Sequence, residues 1–245
     1  MTHTETDTLN TTHPRALLTI STCYSLFMWA FSTIVATLTL YFTTLPGITT
    51  EQAYTLYAIY ASLLWILPVI GGFVSEKIGY LQAAFAGLTI CIIAFVLLCY
   101  HNLPCTFTGL SLFLIGNCLF TPSLWCIVDH LYQKQDIRRE AGFTLFYLIF
   151  NIGAVLGIFI SSYIRIRYNY PIEFASCGII LAIALLLLAY SCATLTVANN
   201  RSIAPQINVN NKTIPLFTLL ACIIFTPIIY SLFQYPTVDA VLVYI

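Results

Sequence analysis

The chain has 245 residues, of which 60% are hydrophobic and only 7% charged, nine basic residues balancing nine acidic ones. A soluble domain carries about 25% charged residues, and one Asp, Lys or Arg at the centre of a bilayer costs roughly 2.5–3.5 kcal/mol. This composition excludes an ordinary soluble domain, and zero net charge excludes a basic nucleic-acid surface.

In chain order, residues 1–16 form a polar, Thr-rich tail with Glu5 and Asp7 and without the basic start of a cleaved signal peptide. Seven apolar runs follow, at 17–42, 56–74, 81–100, 107–128, 143–163, 174–195 and 214–233, each long enough to cross a bilayer. Backbone in hydrocarbon must satisfy its own hydrogen bonds, and the alternation of a β-barrel is missing, so the runs are expected to be helices. The expected fold is all-α, a polytopic membrane helix bundle whose solvent is the lipid bilayer. Residues 17–198 are expected to form six helices, 199–213 an Asn-rich linker, and 214–245 a seventh helix and tail.

Polar residues on these runs are the candidate cavity lining. Span one carries Ser25 and Ser32, seven apart on one face with Trp29 between them. Span two carries Tyr57 and Tyr60, and span four Asn117 and Thr121. Ser and Thr are also ordinary packing residues between membrane helices, so both roles stay open. After span two the chain reads Gly71-Gly72-Phe73-Val74-Ser75-Glu76-Lys77-Ile78-Gly79, two glycines for close helix approach and a third for a tight reversal. Asp129 and His130 close span four near Lys134, Arg138 and Arg139; they are interfacial charges satisfied by water or members of a gate. In span five, Gly153, Gly157 and Ser161 make a small-residue ridge, and Asn151 lies deep in the span. Facing lipid it would forfeit hydrogen bonds, so it faces a neighbouring helix or a cavity. The nine cysteines form no CxxC pair and no Cys/His cluster at metal spacing, so no metal and no cofactor is expected.

Basic residues near the span ends set the orientation. With the N-terminus in the cytoplasm, Arg15, Lys77, Lys134, Arg138, Arg139, Arg201 and Lys212 fall inside and only Arg165 and Arg167 outside. The expected location is the plasma (cell inner) membrane.

The Gly71–Gly79 loop resembles the loop signature of the major facilitator superfamily, with Glu76 and Lys77 in place of its commoner Asp and Arg. The stretch 136–163, DIRREAGFTLFYLIFNIGAVLGIFISSY, resembles the fifth span of the proton-coupled oligopeptide transporters. Arg138 or Arg139, Gly142, Phe143, Thr144, Phe146, Tyr147, Asn151, Gly153 and Ala154 match its signature. The resemblance implies a six-helix N-terminal transporter half, a short-peptide or small-molecule substrate, and a peptide-holding role for Asn151, with Phe146, Tyr147 and Trp29 beside it. It also exposes departures. The two acids and the Arg of the family's first span fall on Tyr24, Phe27 and Met28, with Trp29 and Phe31 keeping aromatic character. The fourth span's Lys becomes Thr121 in Phe120-Thr121-Pro122-Ser123. The Tyr of span two becomes Trp65, and an acid near the end of span seven becomes Phe233.

The functional expectation is a peptide-transporter-like protein, doubtful for proton coupling and incomplete as one chain. It is either truncated or paired with a second polypeptide that supplies the other half. The alternative is a non-transporting membrane scaffold or binding protein of the same fold. No nucleophile–base pair, paired acids or phosphate loop suggests an enzyme. The orientation predicts that Cys105, in the connection after span three, reacts with an impermeant maleimide from the outer face. Labelling from the cytoplasmic face alone would reverse the topology.

Overall fold

The computed structural model describes residues 15–132 and 136–198. They form six helices: α1 Arg15–Thr43, α2 Thr50–Ile78, α3 Tyr80–Leu98, α4 Leu103–His130, α5 Arg138–Arg167 and α6 Tyr170–Ala198. Each is long and apolar enough to cross a membrane, and each of the first six expected spans falls largely within its own helix. The expected seventh span and the linker before it lie outside the described residues. The chain is an integral membrane protein.

Local chemistry sets the helix ends. Thr49 caps α2 in a reciprocal box with Gln52, the backbone N–H of each donating to the other's side chain. Asn102 caps α4 by accepting from the Cys105 N–H at 2.9 Å, with Pro104 in the first turn, where its missing N–H costs nothing. Gly79 alone separates α2 from α3. Its φ of 103° is open to glycine and strained for other residues, and its N–H closes α2 on the Ser75 carbonyl at 2.8 Å.

The packing repeats itself. α1 packs on α5 and α6, α4 packs on α2 and α3, and α3 meets α6. Exchanging α1, α2 and α3 for α4, α5 and α6 leaves this neighbour pattern unchanged, so the bundle is two three-helix units related by a pseudo-twofold arrangement. Glycine sets the closest seams. A Cβ on Gly153 would clash with the Ser25 carbonyl of α1, and one on Gly157 would lie 2.6 Å from the Trp29 carbonyl. In the equivalent α2–α4 seam Gly71 lies as close to the Cys118 carbonyl. Fully buried Phe27, Phe95, Phe113, Phe120, Phe146 and Phe174 fill the interior. The outward faces of α2 and α5 expose Ile66, Val69 and Phe73, and Leu148, Ile152, Val155 and Phe159.

Overpacking of this kind costs about 1–3 kcal/mol. Gly153→Ala should lower the unfolding free energy of the detergent-solubilised chain by that amount. Gly178→Ala, whose Cβ meets nothing nearer than Phe95 at 3.6 Å, should be neutral or stabilising.

Candidate functional site

Two prolines organise the α2–α4 seam. Pro68 lies inside α2, so the Leu64 carbonyl one turn earlier has lost its helical donor. No water reaches such a carbonyl in hydrocarbon, and Asn117 of α4 supplies the missing hydrogen bond from Nδ2 at 3.2 Å. Pro122 does the same to α4, freeing the Cys118 carbonyl, and that oxygen is the one pressed against Gly71 of α2. Each helix is opened by its own proline at the level where the other approaches.

Two neutral hydrogen-bonded pairs lie beside this seam. Trp125 Nε1 of α4 donates to the Tyr24 oxygen of α1 at 3.3 Å. Within α4, Thr121 Oγ1 donates to Asn117 Oδ1 at 2.7 Å, while the Asn117 amide holds Leu64 of α2. Tyr24 and Thr121 occupy the positions where the family resemblance leads one to expect an acid and a Lys; here the pair is neutral. Around it the rings close in: Tyr24 stacks on Phe146 with centroids 5.2 Å apart and meets Phe150 edge-on at 5.2 Å, while Phe27 lies 4.5 Å from Phe120.

The structure separates the expected cavity residues. Phe146 is 0% exposed inside the aromatic cluster, whereas Tyr147, the next residue and about 100° around the helix, is 59% exposed. Asn151 stands one turn on from Tyr147, part-exposed, its Nδ2 donating to the Tyr147 carbonyl at 2.7 Å rather than to another described helix. Trp65 projects from α2, 75% exposed, and meets Phe31 of α1 edge to face with ring centroids 6.3 Å apart. Tyr60 is wholly buried.

Ser25, Ser32 and Trp29 of α1 all bond to α5. Ser25 donates to the Ile149 carbonyl and Ser32 to the Ala154 carbonyl, both at 2.9 Å, and Trp29 Nε1 to Ser161 Oγ at 3.2 Å. All three are committed to the α1–α5 seam, because the glycines of α5 bring its backbone within reach of α1's hydroxyls.

At the end of the bundle where α4 gives way to α5, Arg139 binds Asp129 Oδ1 through Nε at 3.0 Å and through Nη2. Arg138 binds Asp136 at 3.0 Å, and Asp136 also accepts from the Arg138 backbone N–H at 2.9 Å. Of the gate candidates, Asp129 and Arg139 are thus brought together and Arg138 is held apart. In the signature loop a Cβ on Gly72 would meet Pro122 at 3.9 Å, and Glu76 and Lys77 are exposed.

Sequence reasoning missed a second cluster at the opposite end. Glu173, in the first turn of α6, is 0% exposed and accepts from Thr37 Oγ1 of α1 at 2.9 Å. Arg165 of α5 donates to the same Thr37 oxygen at 2.8 Å and stands 3.9 Å from Glu173 Oε1. A basic helix end and an acidic helix start eight residues apart were the available signal. Read alone, Glu173 passes for an ordinary acid at a helix N-terminus.

Residues 20–243 match the family model of the Major Facilitator Superfamily. Over 152 residues the chain is 28% identical to a dipeptide and tripeptide permease B of Aeromonas hydrophila, a match covering 61% of this chain and 30% of the permease. The protein of the same description from Photorhabdus asymbiotica is 30% identical over 152 residues, covering 61% and 31%. Among solved structures, a bacterial homologue of the human drug peptide transporters PepT1 and PepT2 superposes with a TM-score of 0.78 at 23% identity, covering 94% of this chain and 53% of that one. The peptide transporter POT in complex with sulfate gives 0.73 at 21% identity, covering 88% and 46%. The chain spans less than a third of these curated relatives and about half of these structures.

Leaving the Leu64 carbonyl without a donor should cost about 1–3 kcal/mol. Asn117→Leu is therefore expected to destabilise the purified chain by that much. Pro68→Ala, which restores the helical N–H, should recover most of the loss in a double-mutant cycle. Equal losses from Asn117→Leu with and without Pro68 would refute the proline-and-amide account of the seam.

Proposed function

The chain belongs to the Major Facilitator Superfamily, and from that premise we propose that it is the N-terminal half of a transporter for di- or tripeptides or small solutes like them. Residues 17–198 form the half, 199–213 a cytoplasmic linker, and 214–245 begin a second half. A further polypeptide or further sequence supplies the remainder, and solute passes between halves near the membrane midplane, where transporters of this architecture bind. The N-terminus lies in the cytoplasm and the protein in the plasma membrane. The support for the peptide class is the printed description of the relatives together with the α5 motif at Tyr147 and Asn151, which leaves a ring and an amide on the open side of the bundle. Trp65 and Phe31 continue that wall on α2 and α1, and Asp129 with Arg139 serves as the cytoplasmic gate pair.

One observation supports an uncoupled mode of transport. Trp125 bonded to Tyr24, and Thr121 bonded to Asn117, are neutral groups where a proton-driven relative would carry charge. Every charged residue of the described helices lies within about one turn of a helix end. The chain therefore moves an uncharged or zwitterionic solute down its gradient and, by itself, couples no proton to that movement. The aromatic fill around Tyr24 favours a second reading, a scaffold of the same fold that transports nothing.

The test reconstitutes the purified chain in liposomes with a pH-sensitive dye in the lumen and an inward proton gradient. Downhill uptake of a labelled dipeptide without substrate-dependent acidification is expected. Acidification that follows the substrate would overturn the uncoupled mechanism, and no uptake at all would favour the scaffold.

A further inference from the structure

The Glu173 cluster stands apart from the proposed solute path. Its carboxyl is fully enclosed where α1, α5 and α6 meet, and its two oxygens are treated unequally. Oε1 accepts the Thr37 hydroxyl at 2.9 Å and has Arg165 at 3.9 Å, beyond hydrogen-bond reach. Oε2 is buried and has no hydrogen-bond partner among the described residues. Arg165 instead donates to Thr37 at 2.8 Å, so the guanidinium acts on the carboxyl through a hydroxyl that accepts from one and donates to the other.

A permanently charged ion pair would not be built in this way. Buried carboxylates usually take direct, often bidentate, hydrogen bonds from arginine, and a buried polar atom left unpaired costs about 1–3 kcal/mol, more when charged. One open oxygen and an indirect counter-charge suit a group that exists in two protonation states. The other titratable and charged groups packed around it are Tyr170 and Cys177 of α6 and Tyr41 of α1. His101 packs on Tyr41 from the α3–α4 connection. From α3 the neighbour is apolar, Phe95 against Phe174.

We propose that Glu173, Thr37 and Arg165 form a proton-binding site at the end of the bundle where α5 gives way to α6. A proton from bulk water adds to Oε2, no other bond breaks, and the charge of the pair rises from zero to +1. Arg165, whose side chain is partly exposed, is the way to the surface. Protonation removes the carboxylate charge that draws Arg165 towards α6 and leaves the guanidinium held by Thr37 and by the face of Tyr170. The proton thereby adjusts the packing of α5 and α6 on α1 at that end. It does not cross the membrane, so the site is compatible with uncoupled movement of solute and does not depend on transport.

Infrared difference spectra of the full chain in nanodiscs, recorded across a pH titration, test the site. Wild type should gain a protonated-carboxyl band on acidification, and that band should be lost in Glu173→Gln. Thr37→Val, which keeps every carboxyl, should retain the band and move its midpoint by about one pH unit, the worth of one hydrogen bond to a charged group. Identical difference spectra for wild type and Glu173→Gln would overturn the proposal. So would an unmoved midpoint in Thr37→Val, which decides the matter if Glu173→Gln does not fold.

Discussion

Hydrocarbon offers no water to a backbone group that loses its helical partner, and the architecture follows from how this chain answers that constraint. Proline is the severest case, because it deletes a donor in the middle of a span. Among the described helices, both internal prolines, Pro68 and Pro122, lie in the same seam. The carbonyl freed by Pro68 is met by the Asn117 amide of the opposite helix, and the one freed by Pro122 sits against the Cα of Gly71. Elsewhere hydroxyls fold back on their own helices, as Ser111 does on Phe107 at 2.8 Å and Ser123 on Leu119. These bonds satisfy the hydroxyl without involving a neighbour. The α2–α4 seam is therefore fixed by backbone accounting, and Asn117 is structural before it is anything else.

That role of Asn117 bears on the missing charges. Removing one member of a buried ion pair strands the other at a cost of about 3–5 kcal/mol, whereas replacing all members with fitting neutral groups is often harmless. The resemblance places two acids, an Arg and a Lys on Tyr24, Phe27, Met28 and Thr121, and none of these is charged. What stands there is neutral throughout: Trp125 donates to Tyr24 and Thr121 to Asn117, and the rings of Phe27, Phe120, Phe146 and Phe150 occupy the surrounding volume. Aromatic pairs of this geometry contribute about 0.5–1.5 kcal/mol each beyond burial. Reinstating Lys at Thr121 alone would place an ammonium against Tyr24 with no carboxylate beside it. The neutral set is self-consistent, and single reversions towards a charged set are not.

The six helices were legible in the sequence because hydropathy and charge exclusion are properties of whole segments. Side-chain roles were less so, since periodicity says which residues share a face and not which neighbour that face meets. Ser25 and Ser32 share a face as expected, but the neighbour is α5, brought close by Gly153 and Gly157, and the hydroxyls end on its carbonyls. Phe146 and Tyr147, adjacent in sequence, diverge around the helix; which of them turns inward depended on α1 and α4. The partnership of Asn117 with Leu64 joins residues 53 apart and became visible only when Pro68 and Asn117 were set at the same depth. Glu173 escaped notice because an acid in the first turn of a helix has a sufficient local explanation.

The two equivalent seams differ in how they hold, and the difference suggests where the half can move. α2 and α4 are joined at a double proline opening by the Asn117 amide and, one residue on, by the Cys118 thiol donating to the Leu67 carbonyl, a local arrangement that permits bending at that level. α1 and α5 are joined by a ladder that climbs the whole contact: Ser25 to Ile149, Ser32 to Ala154, Thr33 and Trp29 to Ser161, and finally Thr37 to Arg165. Breaking one rung leaves the others in place, so this seam behaves as a rigid strut along most of its length. Its last rung is the exception, because Thr37 is shared between a guanidinium and a carboxyl that can gain a proton. Pseudo-symmetric helices have thus been given unlike mechanical properties by a few polar side chains: a hinge on the α2–α4 side, and on the α1–α5 side a strut that can be released only at its end.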